Sequence, residues 1–252
     1  MENINATAVF FSPTDTSRTG VCAIARALSS EFSELDLTCA PAQATFGEKE
    51  VVVFGAPVYG GRIPAVCRER MAGLKGNNTP CIITVTYGNR DFDDALLELN
   101  DLVQEQGFVP VAAAALVGQH TYGTIQVGRP DENDQAQDAT FAAQVAEKLQ
   151  AGNWQVPAIP GNRPYKDGGK GGNFRPLTSD ACVSCGLCVR GCPTKAIADD
   201  CRTIDDSKCI ACFRCIRRCP VGAKNMDTPE YNAFAAMFSE RLKDRKENQY
   251  FL

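Results

Sequence analysis

The chain has 252 residues, 44% apolar and 22% charged, with a formal net charge of −4. This length leaves room for two domains, the charge is too small to argue for nucleic acid or an anionic membrane surface, and no apolar run approaches the roughly 18 residues of a membrane span. The opening MENINATAVFFSPT lacks a basic region and a small-residue cleavage site, which predicts a first strand, no leader and a cytoplasmic protein.

In chain order, strands are predicted at Thr7 to Phe11, Leu35 to Thr38, Val51 to Gly55, near Cys81 to Tyr87 and near Val109 to Val117. Helices are predicted at Arg18 to Phe32, after Pro64, from about Asp91 to Gln106 and from Asp131 to Leu149. Strands alternating with helices, and runs such as Val51-Val52-Val53-Phe54 that are apolar on both faces, predict an open, doubly wound parallel sheet over residues 1–151. Ligands of such sheets bind at the carboxyl ends of the strands. The loop Ser12-Pro13-Thr14-Asp15-Thr16-Ser17 is rich in hydroxyls and opens a helix, as a phosphate site or a simple helix cap would. The loops Ala56 to Arg62 and Thr86 to Asp91 each combine a tyrosine with glycine, and the loop after the last strand carries His120, the only histidine. A lone loop histidine is more often structural, and no catalytic residue is assigned.

Residues 152–178 hold six Gly and four Pro without periodicity and predict a linker, which Trp154, Tyr165 and Phe174 can dock against either domain. Nine of the 13 cysteines fall between Cys182 and Cys219. Cys182, Cys185, Cys188, Cys192-Pro193 and then Cys209, Cys212, Cys215, Cys219-Pro220 repeat one spacing at an offset of 27 residues. This spacing resembles that of bacterial two-cluster ferredoxins, in which the fourth cysteine of each run ligates the other cluster. On that pattern Cys182, Cys185, Cys188 and Cys219 hold one [4Fe-4S] cluster, and Cys209, Cys212, Cys215 and Cys192 the second. Zinc sites use two separated pairs and fit the spacing less well, and disulfides suit a reducing cytoplasm poorly. Cys201 lies outside both runs and is expected to pack as a small apolar residue. Residues 179–227 carry eight Lys or Arg against six Asp or Glu, and Lys208, Arg214, Arg217 and Arg218 are expected to offset cluster charge. In residues 228–252, Phe234, Met237, Phe238 and Leu242 follow helical spacing, predicting a helix from about Pro229 to Lys246.

The loop S-P-T-D-T-S and the turns A-P-V-Y-G-G and T-Y-G-N resemble those of a flavodoxin domain, and with the cysteine repeat the chain resembles the flavodoxin-ferredoxin fusion proteins of anaerobic bacteria and archaea. The resemblance implies a flavodoxin-like sheet of order 2-1-3-4-5 followed by a small α+β two-cluster ferredoxin domain. It also implies FMN, its phosphate on Ser12, Thr14, Thr16 and Ser17, its ring flanked by Pro57, Tyr59 and Gly60 and by Thr86, Tyr87, Gly88 and Asn89. The chain departs from the family where flavodoxins commonly have Gly, here Asp15, and Asn, here Thr16. Asp tolerates the left-handed backbone, and Arg18 is expected to offset its charge. The implied function is electron transfer between two clusters and FMN, serving redox partner proteins. The alternatives are an FMN-dependent reductase of a small-molecule acceptor, and a ferredoxin whose attached domain is flavin-free because of Asp15.

Overall fold

The computed structural model describes residues 4–252. Its main sheet is built from β1 (Asn5–Phe10), β2 (Phe32–Asp36), β4 (Glu50–Pro57), β6 (Thr79–Tyr87) and β7 (Phe108–Val117), with β3 (Ala44–Phe46) and β5 (Leu74–Gly76) forming a separate two-stranded pair. The five strands are parallel and ordered β2-β1-β4-β6-β7. Counted along the chain this is 2-1-3-4-5, the flavodoxin-like order.

Both sheet faces are covered, which is why the strands are apolar throughout. Val9, Phe11, Phe54 and Ile83 pack on the layer that includes α2 (Ala65–Met71) and α3 (Ala95–Glu105). Phe10, Val53 and Ile82 pack on the layer of α1 (Thr16–Leu28) and α4 (Glu132–Gln150). Helix α1 crosses the sheet closely: a Cβ at Gly55 would fall 2.1 Å from Val21.

A sixth strand, β10 (Gln249–Phe251), pairs antiparallel with β7 and closes that edge. The helix predicted to run from about Pro229 to Lys246 ends earlier, as α7 (Pro229–Arg241), and the remaining tail turns back to the sheet. Polar anchors account for that return. Arg129 and Asp134 form a buried ion pair at 2.5 Å, Arg129 donates to the Lys246 carbonyl at 2.7 Å, and Asn248 accepts from the Val117 N–H at 2.8 Å.

The cysteine-rich segment contains the short pair β8 (Leu177–Thr178) and β9 (Lys224–Asn225) and two single-turn helices, α5 (Leu187–Arg190) and α6 (Arg214–Arg217). Its internal repeat extends to the backbone. Ser184 and Ala211, 27 positions apart, have φ of 52° and 51°, and Gly186 and Phe213 have φ of 72° and 56°. The predicted linker is a docked strap. Asp94 accepts from the backbone N–H groups of Asn162 and Lys166, each at 2.8 Å, Asp101 accepts from Arg163 at 2.6 Å, and Gly169 donates to the Tyr59 carbonyl at 2.8 Å. Trp154 packs on the sheet, Tyr165 donates to Asp101, and Phe174 joins Tyr231 and Phe234. Among the described residues, no helix is long and apolar enough to cross a membrane.

Candidate flavin cleft and thiol cavity

The loops leaving β1, β4, β6 and β7 converge at the carboxyl edge of the sheet on a cleft of about 680 Å³. Ser12, Thr14, Thr16 and Ser17 line one end, and Pro57, Tyr59 and Gly60 with Thr86, Tyr87 and Gly88 line the rest. The first loop is held by one hydroxyl from beyond β2 and one of its own: Thr38 Oγ1 accepts from the Ser12 N–H at 2.8 Å, and Ser12 Oγ accepts from the Arg18 N–H at 3.0 Å. This holds open the start of α1, where unpaired N–H groups and the helix dipole suit an anion. Thr86 Oγ1 is buried in the cleft wall without a hydrogen-bond partner, a polar atom that a bound group can satisfy.

Asn89, expected beside the flavin, does not line the cleft. Its amide donates to the carbonyls of Leu242 and Asp244 at 2.8 and 2.7 Å and accepts from the Lys246 N–H at 3.2 Å, so the side chain clamps the tail. Nothing local in T-Y-G-N distinguishes a clamp from a flavin contact. The cleft also includes Gly118 to Tyr122, the strap residues Lys170, Gly171 and Gly172, and Ala211. Lys170 is the one Lys or Arg on its wall among the described residues, and a glycine-rich linker offered no signal for it.

Asp15 has the left-handed backbone its position requires, with φ 63°. Arg18 contributes only weakly to offsetting its charge, because Arg18 pairs with Glu34 at 2.8 Å and feels Asp15 only as a minor influence. The offset comes from the cysteine-rich segment: Arg218 lies 2.8 Å from Asp15, and the buried Arg214 lies 3.9 Å from it while donating to the Pro13 carbonyl at 2.7 Å. Arg217 donates to the His120 carbonyl at 3.2 Å, and Lys208 pairs with Asp205 at 2.9 Å. The three arginines expected to balance cluster charge therefore bind the sheet domain. The buried cation between the thiols is Lys224, absent from the sequence reading, whose charge lowers the Cys188 and Cys215 thiol pKa values against the larger upward effect of burial.

Cys182, Cys185, Cys188 and Cys219 line one cavity, together with Cys201 and the apolar Val183, Leu187 and Val221. Among the described residues, no three His, Cys, Asp or Glu groups converge as a single metal ion would require. The thiols instead stand around a void, the arrangement a cluster with several iron corners needs. Cys192, Cys209, Cys212 and Cys215 form the second group. Burial pushes the Cys212 and Cys215 thiols up to about 12, and Cys192 and Cys209 add to the rise in each. Backbone N–H groups point at sulfur in both groups, from Ala196 to Cys192 at 3.3 Å and from Lys224 to Cys219 at 3.5 Å, the donors that tune cluster potentials.

The second thiol group adjoins the flavin cleft. Ala211, between Cys209 and Cys212, is part of the cleft wall. The Tyr59 hydroxyl is raised well above its usual pKa by burial first and then by Cys212, Tyr122 and other neighbours that include Cys209.

Residues 177–220 match the family model of the 4Fe-4S dicluster domain. No curated protein matches the chain. Among solved structures, it is similar to the rubredoxin oxygen:oxidoreductase of the anaerobe Desulfovibrio gigas, at 15% identity over 59% of this chain and 37% of that one, TM-score 0.41. It is also similar to an archaeal flavodoxin, at 12% identity over 58% of this chain and 99% of that one, TM-score 0.39. The flavodiiron core of Flv1 from Synechocystis sp. PCC6803 gives 17% identity over 59% of this chain and 37% of that one, TM-score 0.40. The chain thus spans little more than a third of the first and last of these. Strand order and register carry the flavodoxin-like assignment, and the dicluster match carries the iron-sulfur one.

Proposed function

We propose that the protein relays electrons between two [4Fe-4S] clusters and an FMN, coupling one-electron and two-electron redox partners in the cytoplasm. The supporting observation is the contact of the Cys209–Cys212 loop with the flavin cleft through Ala211 and Tyr59. The cluster on Cys192, Cys209, Cys212 and Cys215 would be the flavin's neighbour. The cluster on Cys182, Cys185, Cys188 and Cys219 would face outward, under Val183, Leu187 and Val221, which are 64%, 45% and 45% exposed. Redox proteins would dock on that apolar face.

The flavin, when bound, supplies the exchange between single electrons and electron pairs. The chain's residues bind and orient. Ser12, Thr14, Thr16, Ser17 and the first N–H groups of α1 hold the phosphate, and Lys170 adds the one cation on the wall. Pro57, Tyr59 and Gly60 with Thr86, Tyr87 and Gly88 border the ring. Arg214 and Arg218 neutralise Asp15 and, from the segment that carries the clusters, fix that segment against the phosphate loop.

An anaerobic assay of iron, sulfide and released flavin in the purified protein tests this reading. About eight irons with one FMN per chain is the expected result. Full iron with no flavin, even after FMN is added, would reduce the protein to a ferredoxin with a docking domain.

A further inference from the structure

The flavin cleft adjoins a second chamber, lined on one side by Phe234 and Phe238 of α7. The two share Val58, Gly60, Tyr87, Gly88, His120 and Tyr122. The chamber's outer wall is Phe234 and Phe238, one helical turn apart, with ring centroids 5.2 Å apart and 24° between planes. His120 stands edge-on to Phe238 at 5.1 Å and tilted to Tyr122 at 5.4 Å. A Cβ at Gly88 would fall 2.1 Å from the His120 ring, so a side chain at 88 would displace it.

His120 is the imidazole in the lining of this aromatic enclosure. Its Nδ1 accepts from the Tyr122 N–H at 2.8 Å, a shorter contact than the 3.3 Å to the Tyr122 carbonyl. The proton therefore resides on Nε2, and Nε2 makes no hydrogen bond among the described residues. Burial lowers the imidazole pKa to about 4, against a smaller upward effect of the Tyr122 backbone, so the ring is neutral near pH 7 and donates without carrying charge. The charged residues of the chamber lining, Arg90 and Asp91, are opposite in sign, and Asp93, which pairs with Arg90, pairs also with Lys166 at 3.1 Å, so the two cations and two carboxylates balance. Aromatic walls suit a flat conjugated ring, a lone N–H donor suits an acceptor oxygen, and balanced charge suits a neutral molecule.

We infer that the chamber is a substrate site for a flat, uncharged conjugated carbonyl compound of quinone type, seated between Phe238 and the Tyr87–Gly88 turn with an oxygen on His120 Nε2–H. This rests on the FMN reading. With FMN bound, the quinone would take a hydride from the reduced flavin and a proton from water and leave as the hydroquinone, and two electrons from the iron-sulfur side with one proton would restore the flavin, so electrons and protons balance. His120 polarises the carbonyl as a neutral donor, as its low pKa requires.

The probe is 1,4-naphthoquinone, titrated into oxidised FMN-loaded holoprotein and followed by the flavin difference spectrum, a reading independent of turnover. A saturable perturbation is expected. His120→Phe, which keeps a ring and removes the donor, should weaken it about 2–10-fold. Phe238→Ala should weaken it at least as much, with Phe238→Leu as the milder variant should α7 detach. A sulfonated naphthoquinone should bind more weakly than the neutral one. No saturable perturbation in FMN-loaded protein, or an affinity unchanged from the wild type in both Phe238→Ala and Phe238→Leu, overturns the substrate site and leaves the relay standing. Protein that takes up no FMN overturns both.

Discussion

In the sheet, Val52 and Phe54 face one helical layer, Val53 faces the other, and all three are fully buried. In the cysteine-rich segment, Val183, Leu187 and Val221 face solvent, and the apolar interior is little more than Ala196, Ile197, Ala211, Phe213 and Ala223. Its two helices have four residues each, too few to stand without tertiary support. The sheet domain is therefore held by exclusion of water, whereas a cysteine-rich segment of that size buries too little apolar surface alone and would depend on the clusters proposed for its thiols. Three devices couple the halves: the strap on Asp94 and Asp101, the arginines on the phosphate loop, and the tail that returns as β10.

Removing iron anaerobically with a chelator should break the comparison most sharply. Residues 177–227 should lose hydrogen-exchange protection while the five parallel strands keep theirs. Uniform loss or uniform retention would mean that the halves do not differ in what stabilises them.

Single ligand changes sharpen it further. Cys219→Ser should damage the outward cluster and Cys212→Ser the one beside the flavin, as electron paramagnetic resonance of the reduced protein would report. In pre-steady-state reduction, Cys212→Ser should cut flavin reduction by the iron-sulfur side, whereas Cys219→Ser should slow reduction by an external protein donor. Identical spectra would refute the crossed assignment.

Asn89→Asp keeps a residue that tolerates the left-handed backbone at φ 65° and removes both amide donations to the tail. It should destabilise the docking of residues 242–251 by about 2 kcal/mol. Hydrogen exchange of that segment checks this, with FMN affinity changing less than tail protection.

A pH-dependent effect comes from Asp138. Burial raises its carboxyl to about 7, and the Tyr250 hydroxyl donates to it at 2.8 Å, a weaker and opposite influence. An acid whose folded pKa lies above the unfolded one stays protonated in the fold while the unfolded chain ionises. Its contribution to stability therefore falls as pH rises from about 4 to about 7 and is then level. Asp138→Asn should remove that decline in urea melts. His120, depressed to about 4, works in reverse, with stability lost as pH falls through about 6.5 toward 4. The smallest effect is expected from Arg218→Ala. Its pair with Asp15 is about half exposed on both sides, so FMN affinity should drop by no more than about fivefold and less at high salt.

Local patterns determined much of this protein. Strand-helix alternation predicted an open, doubly wound parallel sheet because a strand buried on both faces has a composition of its own, while the order 2-1-3-4-5 came from the resemblance to flavodoxins carried by three loops. Ten of the eleven residues expected at the flavin lie on one cleft, since loops at the carboxyl ends of parallel strands converge whatever their sequence. The cysteine spacing pointed to clusters because cubane geometry acts over a few residues. Only the tertiary structure decided how the pieces meet. Asn89 turned to the tail, Arg214 and Arg218 turned to Asp15, Lys170 arrived on a glycine-rich strap, and three residues, Gln249 to Phe251, became an edge strand. Each of those contacts joins positions scores of residues apart through a single side chain or a short backbone pairing, and such interactions leave no periodicity in the sequence to read.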